Sequence, residues 1–169
     1  MGKKHPNVTN LSEVEPRVMS KGTKFGFTGK RLGPMSQAAS LGCAWYEVSL
    51  GKTAFPNHYH CANEEGIFIL EGGGEAKIGK DKVRVEKGDY IAYPVGPEFS
   101  HSLKNTGSSP LRYLCISTML TTEVVGYPDS KKIGVAGLID PVSGVMASKV
   151  RLLIKDQSSV DYYEGEDVG

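Results

Sequence analysis

Turn residues interrupt this chain so often that long helices have no room to form. Gly and Pro together make 30 of 169 residues, about 18% against a typical ~12%. Between the breaks lie short runs rich in β-branched and aromatic residues, spaced about 8–12 residues apart, which is the pattern of strands. Residues 44–50 form one such run, closed by Gly51, and residues 66–70 another, bounded by Gly72-Gly73-Gly74. Residues 75–78 and 82–85 alternate charged and apolar around Gly79-Lys80-Asp81, a hairpin pattern. Residues 90–93, stopped by Pro94, residues 111–119 and residues 150–154 complete the set. Only residues 11–19, opened by Asn10 or Ser12 as caps, suggest a helical turn, and Pro16 keeps it short. The expectation is an all-β sandwich or barrel.

Composition narrows the partners. The net charge is +1, so no global field steers the chain toward nucleic acid or an anionic membrane. No run approaches the ~18 apolar residues of a membrane span. The basic start has no apolar stretch after it and does not read as a signal peptide. Cys43, Cys61 and Cys115 are too few for a disulfide framework, so a reducing cytoplasm is expected. Charge is unevenly spread, with net +5 over residues 1–31 and net −3 over residues 151–169. Opposite ends of this kind suit pairing with each other or with a second subunit in a homodimer, or are simply two solvated termini.

Three of the 4 histidines fall into one pattern. His58-Tyr59-His60 turns two imidazoles to one face of a strand, because residues i and i+2 point the same way. Glu65 follows shortly after, and His101 lies far downstream. Three imidazoles and one carboxylate suit a borderline divalent metal, one of Mn, Fe, Co, Ni, Cu or Zn. His-x-His alone also arises among unrelated surface or core histidines; the flanking glycines and prolines supply the rest of the signal.

Those flanks resemble the two motifs of the cupin superfamily. The first runs Gly-x5-His-x-His-x3–4-Glu-x6-Gly. Here it is Gly51, six residues, His58, His60, Glu65, six residues and Gly72. The second runs Gly-x5-Pro-x-Gly-x2-His-x3-Asn. Here it is Gly88, Pro94, Gly96, four residues in place of two, His101 and Asn105. The resemblance implies a double-stranded β-helix, the jelly-roll barrel of cupins, with extended N- and C-terminal arms. It divides the chain into an arm over residues 1–40 that packs on the barrel or a partner subunit, the barrel over 41–120, and a C-terminal extension over 121–169. It also implies metal ligands His58, His60, Glu65 and His101, all pointing inward. Glu64 and Glu65 face opposite sides of a strand, and the six residues before Gly72 select Glu65. Ile67 and Ile69 beside Glu65, and Leu103 beside His101, would line the interior; Phe68 and Leu70 would face outward. Asn105 reads as a strand-end turn residue.

Tyr127-Pro128-Asp129-Ser130 and the late Asp161 to Glu166 stretch are similar to a group of bacterial single-domain cupins, whose members are labelled sugar-phosphate isomerases or simply cupin-domain proteins. That resemblance implies a metal-dependent sugar-phosphate isomerase with a small-molecule ligand in the barrel. Such an enzyme needs a base, and Glu98, in the lengthened loop before His101, is the free carboxylate best placed by sequence. A phosphate needs a cation, for which Lys52, Lys77 and Lys104 are candidates, each also an ordinary surface lysine. The alternatives are an Fe(II)-dependent dioxygenase of a small organic substrate and a non-catalytic metal- or sugar-binding module. Cys61, next to His60, reads as a small buried residue rather than a reactive thiol.

Overall fold

The computed structural model describes residues 5–140, 147–155, 159–167 and 169. Lys3, Lys4 and Asp156 of the charged ends lie outside the described residues. Thirteen strands carry the fold: β1 (Arg17–Lys21), β2 (Phe25–Arg31), β3 (Leu41–Val48), β4 (Tyr59–His60), β5 (Glu65–Glu71), β6 (Gly73–Ile78), β7 (Asp81–Glu86), β8 (Tyr90–Tyr93), β9 (His101–Lys104), β10 (Leu111–Thr118), β11 (Thr122–Tyr127), β12 (Lys132–Gly137) and β13 (Val150–Lys155). The helical content among the described residues is four single 3-10 turns. The expected helical turn is the first of these, Leu11–Glu13, closed by a capping box between Asn10 and Glu13. The chain then extends into β1 rather than continuing as helix.

The strands form three antiparallel sheets: six strands in the order β1-β2-β3-β10-β5-β8, four as β13-β12-β11-β4, and three as β7-β6-β9. Single bridges tie His58 to His101 and Thr53 to Lys104, so the chain stretch bearing His58 also joins the β9 strand. This is the jelly-roll arrangement of the sequence expectation. The expected β6–β7 hairpin turns at Gly79-Lys80, with Ile78 opposite Asp81.

Strand alternation decides which side chains enter the barrel. Ile67, Ile69, Leu103, Val48, Leu111, Tyr93 and Tyr113 make its core, whereas Phe68 is exposed. Asn105 is fully buried and anchors a turn: Nδ2 donates to the carbonyls of Val48 at 2.8 Å and Ser109 at 2.9 Å, and Oδ1 accepts from the Gly107 amide at 3.0 Å.

Several glycines sit inside strands rather than in turns. A Cβ at Gly29 would meet the Tyr46 ring, at Gly66 the Tyr90 ring, and at Gly126 the Tyr59 ring. In each case the missing side chain makes room for a tyrosine from another strand. Part of the glycine excess is therefore a packing device, not turn chemistry.

Candidate metal centre

The elements bring His58, His60, Glu65 and His101 together: one ligand atom from each lies within 4.8 Å of the others. His60 ends β4, Glu65 opens β5 and His101 opens β9. His58 faces His101 across their bridge, the amide of each donating to the other's carbonyl. The imidazole centroids of His58 and His101 are 4.5 Å apart, and those of His58 and His60 5.1 Å. Tyr93 stacks on His101 at 3.8 Å and closes one side.

Hydrogen bonding at the back of each ring fixes what its front presents. Nδ1 lies 2.8 Å from the Pro56 carbonyl in His58, 3.0 Å from the Phe99 carbonyl in His101 and 3.3 Å from Glu123 Oε2 in His60. Carbonyls and carboxylates only accept, so each Nδ1 carries the hydrogen. Each Nε2 is then left with a lone pair for the interior. Nε2 of His60 and of His101 are buried with no hydrogen-bond partner. They lie 3.9 Å and 3.5 Å from the Glu65 carboxylate. Lone pairs converging on a carboxylate need positive charge between them, which a metal ion or a ring proton supplies. The donor set thus fits a divalent metal of the kind that takes imidazole and carboxylate ligands.

The same proximity tunes the groups. Burial, reinforced by the neighbouring His101, pulls His58 down to about 4. Burial also acts to lower His60, but the bond to Glu123 and the charge of Glu65 outweigh it and raise that ring. Burial acts to raise Glu65, yet the close His101 ring and the other two facing imidazoles hold it below its ordinary value. The Cys115 thiol, buried beside Glu65, is pushed well up and stays protonated.

The space beside the cluster is small. A cavity of about 20 Å³ is bounded by Ala54, Phe55, His58, Glu65, His101 and Cys115 among others, which is room for one ion or water and no more. A larger pocket of about 190 Å³ shares Glu65 and Cys115 with it and opens outward past Tyr46, Ser117, Gly42 and Arg31. Strand register explains the opening. Glu65 pairs with Ser117 and with Tyr93, and Ser117 pairs with Gly42, so the ends of β5, β10, β8 and the start of β3 form one rim.

Glu98 lies on the turn Pro97–Phe99 that follows β8 from this rim. It is exposed, with its carboxylate folded back against Gly96, and it does not line the cavity beside the histidines. Glu64 is exposed, as expected of the neighbour of an inward Glu65. Cys61 corrects its expectation: it is exposed, because the turn after β4 faces solvent. None of the candidate lysines lines the rim pocket: Lys77 is paired with Asp129 at 3.1 Å and Lys52 reaches the Gly22 carbonyl. The cation at the rim is Arg31, on a strand that sequence reading left within the arm.

Sequence reading also gave Glu123 no role. It is 5% exposed and accepts from the amides of Cys61, Ala62, Asn63 and Val124 and the Asn63 side chain, besides His60. These bonds and the facing His60 hold it down to about 2, against the opposing effect of burial.

Fold and cluster together define a class: a small antiparallel β-barrel whose inner wall gathers a group able to hold one divalent metal. Residues 44–117 match the family model described as "Cupin domain". An uncharacterized protein of Methanocaldococcus jannaschii is 42% identical over 60 residues, 36% of this chain. That match spans 46% of the archaeal protein, so the chain covers less than half of that curated relative. Among solved structures, a protein named "Putative sugar phosphate isomerase" from Acidithiobacillus ferrooxidans superposes with a TM-score of 0.77 at 19% identity, covering 92% of this chain and 96% of its own. A sugar phosphate isomerase of the cupin superfamily from Silicibacter pomeroyi gives 0.74 at 21% identity, with coverage of 89% and 93%. A predicted oxalate decarboxylase from Thermotoga maritima gives 0.59 at 26% identity over 67% of this chain and 99% of its own.

Proposed function

We propose that the protein is a divalent-metal-dependent sugar-phosphate isomerase whose substrate sits at the barrel rim above Glu65. The observation that carries the reading is the convergence of two orphaned, buried imidazole nitrogens and a third imidazole on the Glu65 carboxylate. The two solved structures of matching length described as sugar phosphate isomerases support the choice of reaction.

His58, His60, Glu65 and His101 would hold the ion, which would supply Lewis acidity to polarise a carbonyl and orient hydroxyl oxygens. The ion-sized cavity leaves no room for a sugar beside it, so the substrate occupies the rim pocket. There Arg31 offers its guanidinium to a phosphate, and Tyr46 and Ser117 offer hydroxyls. Aldose–ketose conversion moves a proton between adjacent carbons. In this reading Glu98, on the turn leaving the rim, is the base that carries it.

Elemental analysis after reconstitution with Mn, Fe, Ni, Cu or Zn should find about one ion per chain, lost in a His58→Ala, His60→Ala variant that still folds. The metal-loaded protein should interconvert an aldose and a ketose within a panel of sugar phosphates, with or without oxygen. Glu98→Gln should lower turnover by about 10²–10⁴-fold with metal content intact. No conversion by the loaded protein defeats the isomerase reading. Oxygen uptake by the Fe(II) form would favour a dioxygenase instead.

A further inference from the structure

We infer that Glu123 is the positioning residue of the metal centre, a carboxylate from the C-terminal extension that fixes the His60 ring and the turn linking it to Glu65. The inference rests on reading the four-residue cluster as a metal site.

The three histidines are not held in the same way. His58 and His101 each place Nδ1 on the carbonyl two residues earlier, Pro56 and Phe99, so their own local backbone orients them. His60 is held differently. The carbonyl two residues before it, that of His58, accepts from the His101 amide at 2.7 Å. The acceptor of the His60 ring comes instead from β11, as Glu123 Oε2. β11 reaches the site because it pairs with β4, Val125 opposite His60 and Gly126 opposite Tyr59.

The same carboxylate gathers the amides of Cys61, Ala62 and Asn63 at 3.2, 3.1 and 2.9 Å. Those residues form the turn between His60 and Glu65. One buried group therefore sets the ring of one ligand and the chain path to the next. Every neighbour it contacts donates, so only an acceptor with two bare oxygens satisfies the set; a glutamine would turn an amide N–H₂ toward other donors. Glu123 lies beyond residues 44–117, so the centre depends on a strand outside the segment that carries the cupin match.

The test uses the full chain and zinc alone. In the metal-free wild type, ¹⁵N NMR at alkaline pH should show His60 as the Nδ1–H tautomer. Glu123→Gln should mix its tautomers, leave the ring signals of His58 and His101 in place, and weaken zinc binding by about 10–100-fold. Asn63→Ala, which trims the turn clamp but keeps the bond to His60, should keep the tautomer and bind zinc within about threefold of wild type. An Nε2–H His60 in the wild type overturns the inference without any variant, so a Glu123→Gln chain that fails to fold leaves it testable. Unchanged zinc affinity in Glu123→Gln also overturns it, as does an equal disturbance of all three rings. Wild type that binds no zinc instead overturns the metal reading itself, whatever its tautomer.

Discussion

His58 and His60 stand two residues apart, yet their surroundings drive their proton affinities in opposite directions. His58 is held neutral down to about 4 by burial beside another imidazole. His60 is raised because a buried carboxylate lies behind it and another in front, enough to outweigh burial. A metal needs both lone pairs, so protons compete with it. The sign follows directly: lowering the pH through the raised His60 value protonates that ring and weakens binding, by about tenfold per unit for that one proton. The fall should steepen again near pH 4, where His58 takes up its proton. Competition titrations against a chelator from pH 8 to 4 check this; an affinity flat across that range would remove His60 from the ligand set. At this scale much of the candidate site was legible, since His-x-His, Glu65 and His101 stand at motif spacing. Glu123 was not, because a lone glutamate in a strand has no spacing to mark it; only the pairing of β11 with β4 reveals its task.

Among the elements, strands that pattern marks plainly were legible: β3, β5, β8, β10, the β6–β7 hairpin and β13 all lie where apolar runs end in turn residues. β2 and β11 were not. Phe-Gly-Phe-Thr-Gly-Lys-Arg and the Gly126 segment drew no strand assignment, because glycine is the strongest turn signal in a sequence. Their glycines exist for tyrosines across the ladder, Gly29 for Tyr46 and Gly126 for Tyr59, and that pairing is invisible before the register is known. Glycines of two kinds should respond differently to alanine. At Gly74 a Cβ would run into the backbone carbonyl of Lys104, on the strand that begins with His101. Backbone cannot swing aside, so Gly74→Ala should cost about 1–3 kcal/mol and lower metal affinity by shifting β9. At Gly126 the obstacle is the outer end of the Tyr59 ring, which can rotate away. Gly126→Ala should cost about 1 kcal/mol or less, the scale of one cross-strand pair. Urea titration of both variants, with zinc affinity alongside, tests the ranking; equal costs would mean the β6–β9 contact yields more easily than its geometry implies.

At the scale of the whole molecule, β13 presents an edge and two apolar faces that a single copy does not cover. Among the described residues β13 is an outer strand of its sheet, bonded to β12 on one side only. Val150, Leu152, Leu153 and Ile154 are all between 41% and 55% exposed. Alternation places Leu152 and Ile154 on one face and Leu153 on the other, so both faces and an unpaired edge stand bare, a combination that invites another strand. A second copy of this chain is the occupant its charge pattern suits, since residues 1–31 carry net +5 and residues 151–169 net −3. Within each copy β1 bonds to β2 and β2 to the chain's own β3, and β13 is the outer strand whose exposed side chains are apolar on both faces. Sedimentation at micromolar concentration should therefore show a single species of twice the 18.2 kDa chain mass. Molar salt should leave it intact. Exposed ion pairs contribute at most about 1 kcal/mol each and are screened, whereas apolar burial, at about 25 cal/mol per Å², is not weakened by added salt. Leu152→Lys with Ile154→Lys should give a folded monomer that still binds its metal, because β12 and β11 stand between β13 and the strand that carries His60. A monomeric wild type, or a double variant that stays dimeric, would place the interface elsewhere or nowhere.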